Sequence, residues 1–135
     1  MNVIARRAGL GLTLTLASVA GACQPQTQGP DPTVLSAIAA RSPAEHQEGK
    51  LLYAQRCSTC HGENGGGSSV GPPLVDRIYR PAHHADAAFL LAIKNGTRAH
   101  HWRFGDMVPV PDLDVPSSGR IVAYVRWLQA ESGIE

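Results

Sequence analysis

The pentapeptide Cys57-Ser58-Thr59-Cys60-His61 constrains this chain more than any other feature. Two thiols separated by two residues lie on one turn, and the imidazole follows at once, so three metal or cofactor donors share a few ångströms of backbone. Three chemistries use such a pair. A redox dithiol of the C-x-x-C type accompanies a βαβ pattern, and no such alternation is visible. A structural zinc site needs four ligands, often completed by a second C-x-x-C or an H-x₃₋₅-H pair, and neither follows His61. The third is C-x-x-C-H attachment of haem c, where both thiols add across vinyl groups and the adjacent histidine ligates iron. The sequence therefore predicts one covalent haem c, held by Cys57 and Cys60, with His61 on the iron.

Composition agrees with a core completed by a cofactor. The 135 residues leave room for one domain, near the small end of what folds alone once an export segment and linker are subtracted. Apolar residues are 43% of the chain but aromatics only 5%, so bulky rings are scarce. A buried macrocycle supplies that bulk. The formal charge is +1, with Arg6 and Arg7 at the start, and nothing resembles a nucleic-acid footprint.

Residues 1–22 read as a signal peptide: a short basic stretch, the uncharged apolar run Ala8 to Ala20, and small residues up to Ala22. The apolar run falls short of the roughly 20 residues that a membrane span needs. Val19-Ala20-Gly21-Ala22-Cys23 resembles the bacterial lipobox, with Ala20 where that motif prefers Leu, and implies lipidation at Cys23. Plain cleavage leaving a free Cys23 thiol and an uncleaved anchor are the other readings. Residues 23–41, rich in Gln, Pro, Thr and Gly, are expected to form the lipidated N-terminus and a flexible linker, with residues 42–135 as the domain. Val34 to Ala40 is compatible with a short helical turn or with simple linker.

Within the domain, Ser42-Pro43-Ala44-Glu45 predicts a helix start with Ser42 as cap, running to about Gln55. Gly62 to Gly71 holds five glycines in ten residues and predicts a loop wrapped around something. Asp86 to Lys94 predicts a middle helix stopped by Asn95-Gly96. Ser117 or Ser118 is expected to cap a last helix whose Ile121, Val122, Tyr124, Val125 and Leu128 make an apolar stripe. The fold class is all-α, one small helical domain around one haem.

These residues, taken in order, resemble the class I cytochrome c family over nearly the whole domain. Gly49 and Tyr53 match a glycine and aromatic on that family's first helix, where the small face packs against the last helix; Tyr124 and Trp127 match the aromatics there. Gly71-Pro72-Pro73-Leu74 resembles the family's G-P-x-L loop, which implies that the Pro72 carbonyl, or that of Pro73, accepts a hydrogen bond from His61. Met107, the second of two methionines, lies in a loop like the one that supplies the family's distal ligand. Val108 follows it where the family commonly has Pro, with Pro109 one place later. His100 and His101 compete with Met107 as sixth ligand, and His83 and His84 stand behind them; all four are equally readable as surface residues or a weak metal site. Trp102, Arg103 and Tyr79 are candidates for the haem edge.

The resemblance implies a single-electron carrier with His/Met ligation in a respiratory or other periplasmic redox chain, exported and anchored by lipid on the periplasmic side of a bacterial membrane. It is expected not to be an enzyme, to meet redox proteins transiently and to take no small-molecule substrate. A haem-based ligand sensor and an electron-entry subunit of a larger oxidase or dehydrogenase are the alternatives; a peroxidase is disfavoured by the single C-x-x-C-H.

Overall fold

A computed structural model describes residues 29–135, and its elements are helices joined by turns and loops. In chain order they are α1 (Pro32–Ala40), α2 (Gln47–Arg56), the single turn α3 (Ser58–His61), α4 (Asp86–Asn95) and α5 (Val115–Glu131), with short 3₁₀ turns at Ala44–His46, Glu63–Gly65 and Arg77–Tyr79. Among the described residues there is no strand, only one isolated antiparallel bridge between Thr97 and Met107. No described helix is long and apolar enough to cross a membrane.

The fold is organised by the crossing of α2 and α5. Gly49 sits where the two backbones meet: a Cβ there would come 2.1 Å from the Arg120 carbonyl oxygen, so only a residue without one permits this approach. Tyr53 and Tyr124 lie side by side with ring centroids 5.9 Å apart, in a tilted arrangement that aromatic quadrupoles favour. Along α5, Ile121, Val122, Tyr124, Val125 and Leu128 are all buried, the stripe expected of an amphipathic helix. The α4 helix packs its Phe89 and Ile93 side inward, and the Arg126 guanidinium lies 4.6 Å from the Phe89 centroid.

Two expectations need correction at the helix starts. Ser42 does not cap: the chain turns after extended Pro43, and Gln47 Nε2 donates to the Ser42 carbonyl at 2.5 Å. Pro43 is itself extended and a 3₁₀ turn, Ala44–His46, precedes the α-helix, so α2 begins only at Gln47. Nor do Ser117 or Ser118 cap α5; Asp114 does, its Oδ1 accepting from Ser117 N at 2.7 Å, with Pro116 inside the first turn.

The linker expectation also ends earlier than Arg41. Asp31 caps α1 by accepting from Thr33 N at 2.7 Å, and α1 buries Leu35, Ile38 and Ala39 in the main core beside Val75 and Leu128. Lys50 Nζ further ties α2 to the Ala39 carbonyl at 2.7 Å. Three small apolar side chains at i, i+3 and i+4 suffice to seat a helix when the body offers a matching groove. Cys23 and the signal segment lie outside the described residues.

Candidate haem site

Helix α2 ends at Arg56, and Cys57, whose N–H still donates to the Tyr53 carbonyl at 2.9 Å, opens the next turn. His61 N donates to the Cys57 carbonyl at 2.9 Å and Cys60 N to the same oxygen at 3.2 Å, so the motif is one turn carrying two free thiols and an imidazole. Ser58 fixes its start, with Oγ donating to the Ala54 carbonyl at 2.6 Å.

The glycine-rich loop then folds back over this turn. Gly62, at φ +73°, reverses the chain, and its missing Cβ leaves room for the Gly67 carbonyl. Gly67 N donates to the His61 carbonyl at 2.7 Å and Ser68 Oγ to the Cys60 carbonyl at 2.5 Å, satisfying oxygens that a broken helix leaves open. Two tyrosines pin the loop from below: Tyr53 OH donates to the Gly62 carbonyl at 3.0 Å, and Tyr124 OH to Asn64 Oδ1 at 2.9 Å. Burial pushes the phenol of Tyr53 up and that of Tyr124 to about 12, so both remain donors at neutral pH.

The same fold-back brings Pro72 to His61. A Cβ on Gly71 would sit 2.4 Å from the Cys60 carbonyl oxygen, and this close passage sets His61 Nδ1 2.9 Å from the Pro72 carbonyl oxygen. A carbonyl oxygen only accepts, so Nδ1 carries the proton and the Nε2 lone pair is free. Burial holds His61 below the usual histidine range, with the Pro72 contact opposing. The ring is therefore neutral at physiological pH. Burial likewise raises the Cys57 thiol to about 11, Arg56 pulling the other way.

Met107 stands at the base of a loop. Its N–H and carbonyl exchange hydrogen bonds with Thr97 at 2.9 and 3.0 Å, and Gly96, at φ +72°, lets the Met107 carbonyl approach closer than any Cβ would allow. Pro109 lies against Gly96, 3.1 Å from where its Cβ would be, so the proline one place late still braces the end of α4. Met107 itself is half-buried.

His100 and His101, at the tip of the loop that Thr97 and Met107 close, do not stand apart as a lone ligand pair. They gather with His83 and His84. Trp102 Nε1 donates to Tyr79 OH at 3.0 Å, whereas Arg103 is exposed.

This donor set suits an iron macrocycle. It offers two thiols for covalent attachment and an imidazole with one nitrogen committed and one available. Two apolar side chains next to these residues are left uncovered, Val70 59% exposed before Gly71-Pro72 and Val108 76% beside Met107.

A family model for cytochrome c matches residues 46–129, more than half of the chain and all of the residues just described from Cys57 to Met107. The chain belongs to the cytochrome c family. As a cytochrome c it binds haem c covalently, with iron, and Cys57 and Cys60 occupy the positions of the C-x-x-C-H motif. Domains of this kind are typically exported haem-based electron carriers rather than enzymes. No curated protein and no solved structure matches the chain.

Asn64 and Gln129 escaped the sequence reading. Asn64 is the one described non-glycine residue with positive φ, at 52°, and its side chain anchors Tyr124. Gln129, fully buried, donates to the Leu74 carbonyl at 2.7 Å and accepts from Arg126 at 2.6 Å, tying α5 to the loop beyond Pro72. An Asn among glycines was a signal for a left-handed position; a glutamine on an apolar helix face was a weaker one.

Proposed function

We propose that this cytochrome c is a single-electron carrier in which His61 and Met107 are the axial ligands and Pro72 fixes the proximal ring. The observation that carries the reading is the 2.9 Å contact between His61 Nδ1 and the Pro72 carbonyl, which directs the free Nε2 lone pair away from the loop. A backbone acceptor of this kind orients a metal-ligating histidine and strengthens it as a donor. Haem c, when bound, supplies one-electron chemistry at iron, and a thioether ligand raises its potential.

The protein's part is to hold the donors still. Burial keeps His61 unprotonated, the Thr97 bridge fixes the backbone at Met107, and the Tyr53 and Tyr124 hydroxyls lock the loop that lies over the motif. A site clamped by its surroundings changes little between oxidation states. Near-neutral charge suits brief encounters with redox proteins, which use small interfaces. Cys23 is the proposed lipid attachment point, on the periplasmic side of a bacterial membrane, and the chain serves a respiratory or related redox chain without turning over a small molecule.

Carbon monoxide added to the reduced, haem-loaded protein is expected to leave its visible spectrum unchanged, because a filled distal position admits no gas. The Met107→Ala variant should respond strongly. A large shift in the wild type would show an open or labile distal position and bring ligand sensing forward.

A further inference from the structure

Four of the six histidines of the chain, His61 not among them, collect at one place on the surface. His83 and His84 come from the segment before α4, and His100 and His101 from the tip of the loop closed by Thr97 and Met107. The ring centroids of His83 and His84 are 4.6 Å apart, those of His83 and His101 5.3 Å, and those of His84 and His101 5.0 Å. One nitrogen from each of these three falls within 4.8 Å of the others.

We propose that His83, His84 and His101 form a binding site for a divalent transition-metal ion of the zinc class, separate from the iron donors and bridging two segments of the fold. Imidazole nitrogen is the donor such ions prefer, and three of them with one open position make a common arrangement. Three nitrogens about 2.0–2.1 Å from one ion in tetrahedral geometry stand roughly 3.3 Å apart. The present spacing therefore closes by small rotations of side chains, two of which are solvent-exposed.

A second feature distinguishes this cluster from chance crowding. His84 Nδ1 lies 2.8 Å from the Ile78 carbonyl oxygen, which accepts its proton and leaves Nε2 as the free donor. That is the supporting contact a metal-binding histidine usually has. The carbonyl of His84 is itself held by Arg126 Nη2, and Arg126 is anchored by Asp86 at 2.7 Å and by the Tyr79 carbonyl at 2.6 Å. The backbone under the site is fixed before any ion arrives. His100 Nδ1 likewise contacts the Arg98 carbonyl at 2.8 Å, and its ring is 4.2 Å from that of His101, so a fourth imidazole adjoins the cluster.

An ion here would fasten the loop tip to the segment preceding α4, alongside the Trp102–Tyr79 hydrogen bond that already joins them. The four imidazoles crowd together, with ring centroids 4.2 to 5.9 Å apart. A shared cation turns that arrangement into a cross-link.

Zinc chloride titrated calorimetrically into the haem-loaded full chain is expected to bind with one equivalent, leaving the haem absorption unchanged. The single variants His84→Ala and His101→Ala should each bind at least about tenfold more weakly, since losing even a supporting contact of a metal site costs 10–100-fold. His101→Ala removes an exposed side chain with no hydrogen bond among the described residues, so it reports on the ion even where His84→Ala disturbs folding. Zinc binding equal in the wild type and in His101→Ala, or none in the wild type, overturns the site. A zinc-induced change in the haem absorption also overturns it, because these histidines would then serve the iron.

Discussion

Asp114 shows how much of the structure rests on single polar atoms. One carboxylate oxygen accepts from Ser117 N, and hydrogen bonding from the Ser117 side chain and then its backbone, with Arg120 further along α5, holds the carboxyl below its ordinary value of 3.8. The folded state thus binds this proton less tightly than the unfolded chain, so protonation favours unfolding. The contribution is present above pH 3.8 and is lost as pH falls through the lower folded value. Asn is as good a cap as Asp but does not titrate. The melting temperature of the wild type is expected to exceed that of Asp114→Asn at pH 7, and the difference should shrink or reverse below about pH 3.8; a constant difference would remove the charge from the argument. The attachment cysteines and the His61–Pro72 contact were legible in the sequence because C-x-x-C-H and G-P-x-L are local patterns. The capping residue was not, since Asp114, Ser117 and Ser118 compete on equal local terms and only the path of the chain through Pro116 decides.

The helices are a different matter, because periodicity reports burial. The stripe on α5 and the extent of α4 were readable, as was the match of Gly49 and Tyr53 to Tyr124. The α1 helix was less so: its Pro- and Gln-rich neighbourhood favours an extended chain, and Leu35 and Ile38 become core residues only because the 63–65 turn and α5 present a groove to them. Gly49 tests the central crossing. On an open helix face, Gly→Ala gains about 1 kcal/mol through propensity. Here the new methyl would meet the Arg120 carbonyl oxygen at 2.1 Å, a backbone atom that no side-chain rotation removes. Overpacking of this kind costs about 1–3 kcal/mol and sometimes more, so the clash wins. Gly49→Ala is expected to lower stability by roughly 2 kcal/mol in urea unfolding, and an unchanged midpoint would show that α2 and α5 can slide apart freely.

Across the molecule, the buried apolar side chains concentrate where α1, α2 and α5 meet, while Val70, Leu91 and Val108 lie largely in water, as do Val34, Leu51 and Val115 on the outer faces of those three helices. With aromatics only 5% of the chain, the protein has little bulk of its own to spare beyond that crossing. The cofactor is then a structural member, because its burial and ligation in the folded state, which the unfolded chain lacks even with the group still attached, stabilise the fold by linkage. Even occupancy at a hundredfold excess over Kd contributes about 2.7 kcal/mol, and covalent attachment acts as a far higher local concentration. For a domain of this size each kcal/mol moves the midpoint by about 4–8 °C. Cys57→Ala combined with Cys60→Ala, which removes both attachment points, is therefore expected to lower the melting temperature by at least about 10 °C. Far-UV circular dichroism of the two proteins reads this directly. The loss should fall on α4 and the 97–109 loop before α2 and α5, since the latter pair keep their own core. An unchanged midpoint would mean that α1, α2 and α5 supply all the stability the domain has.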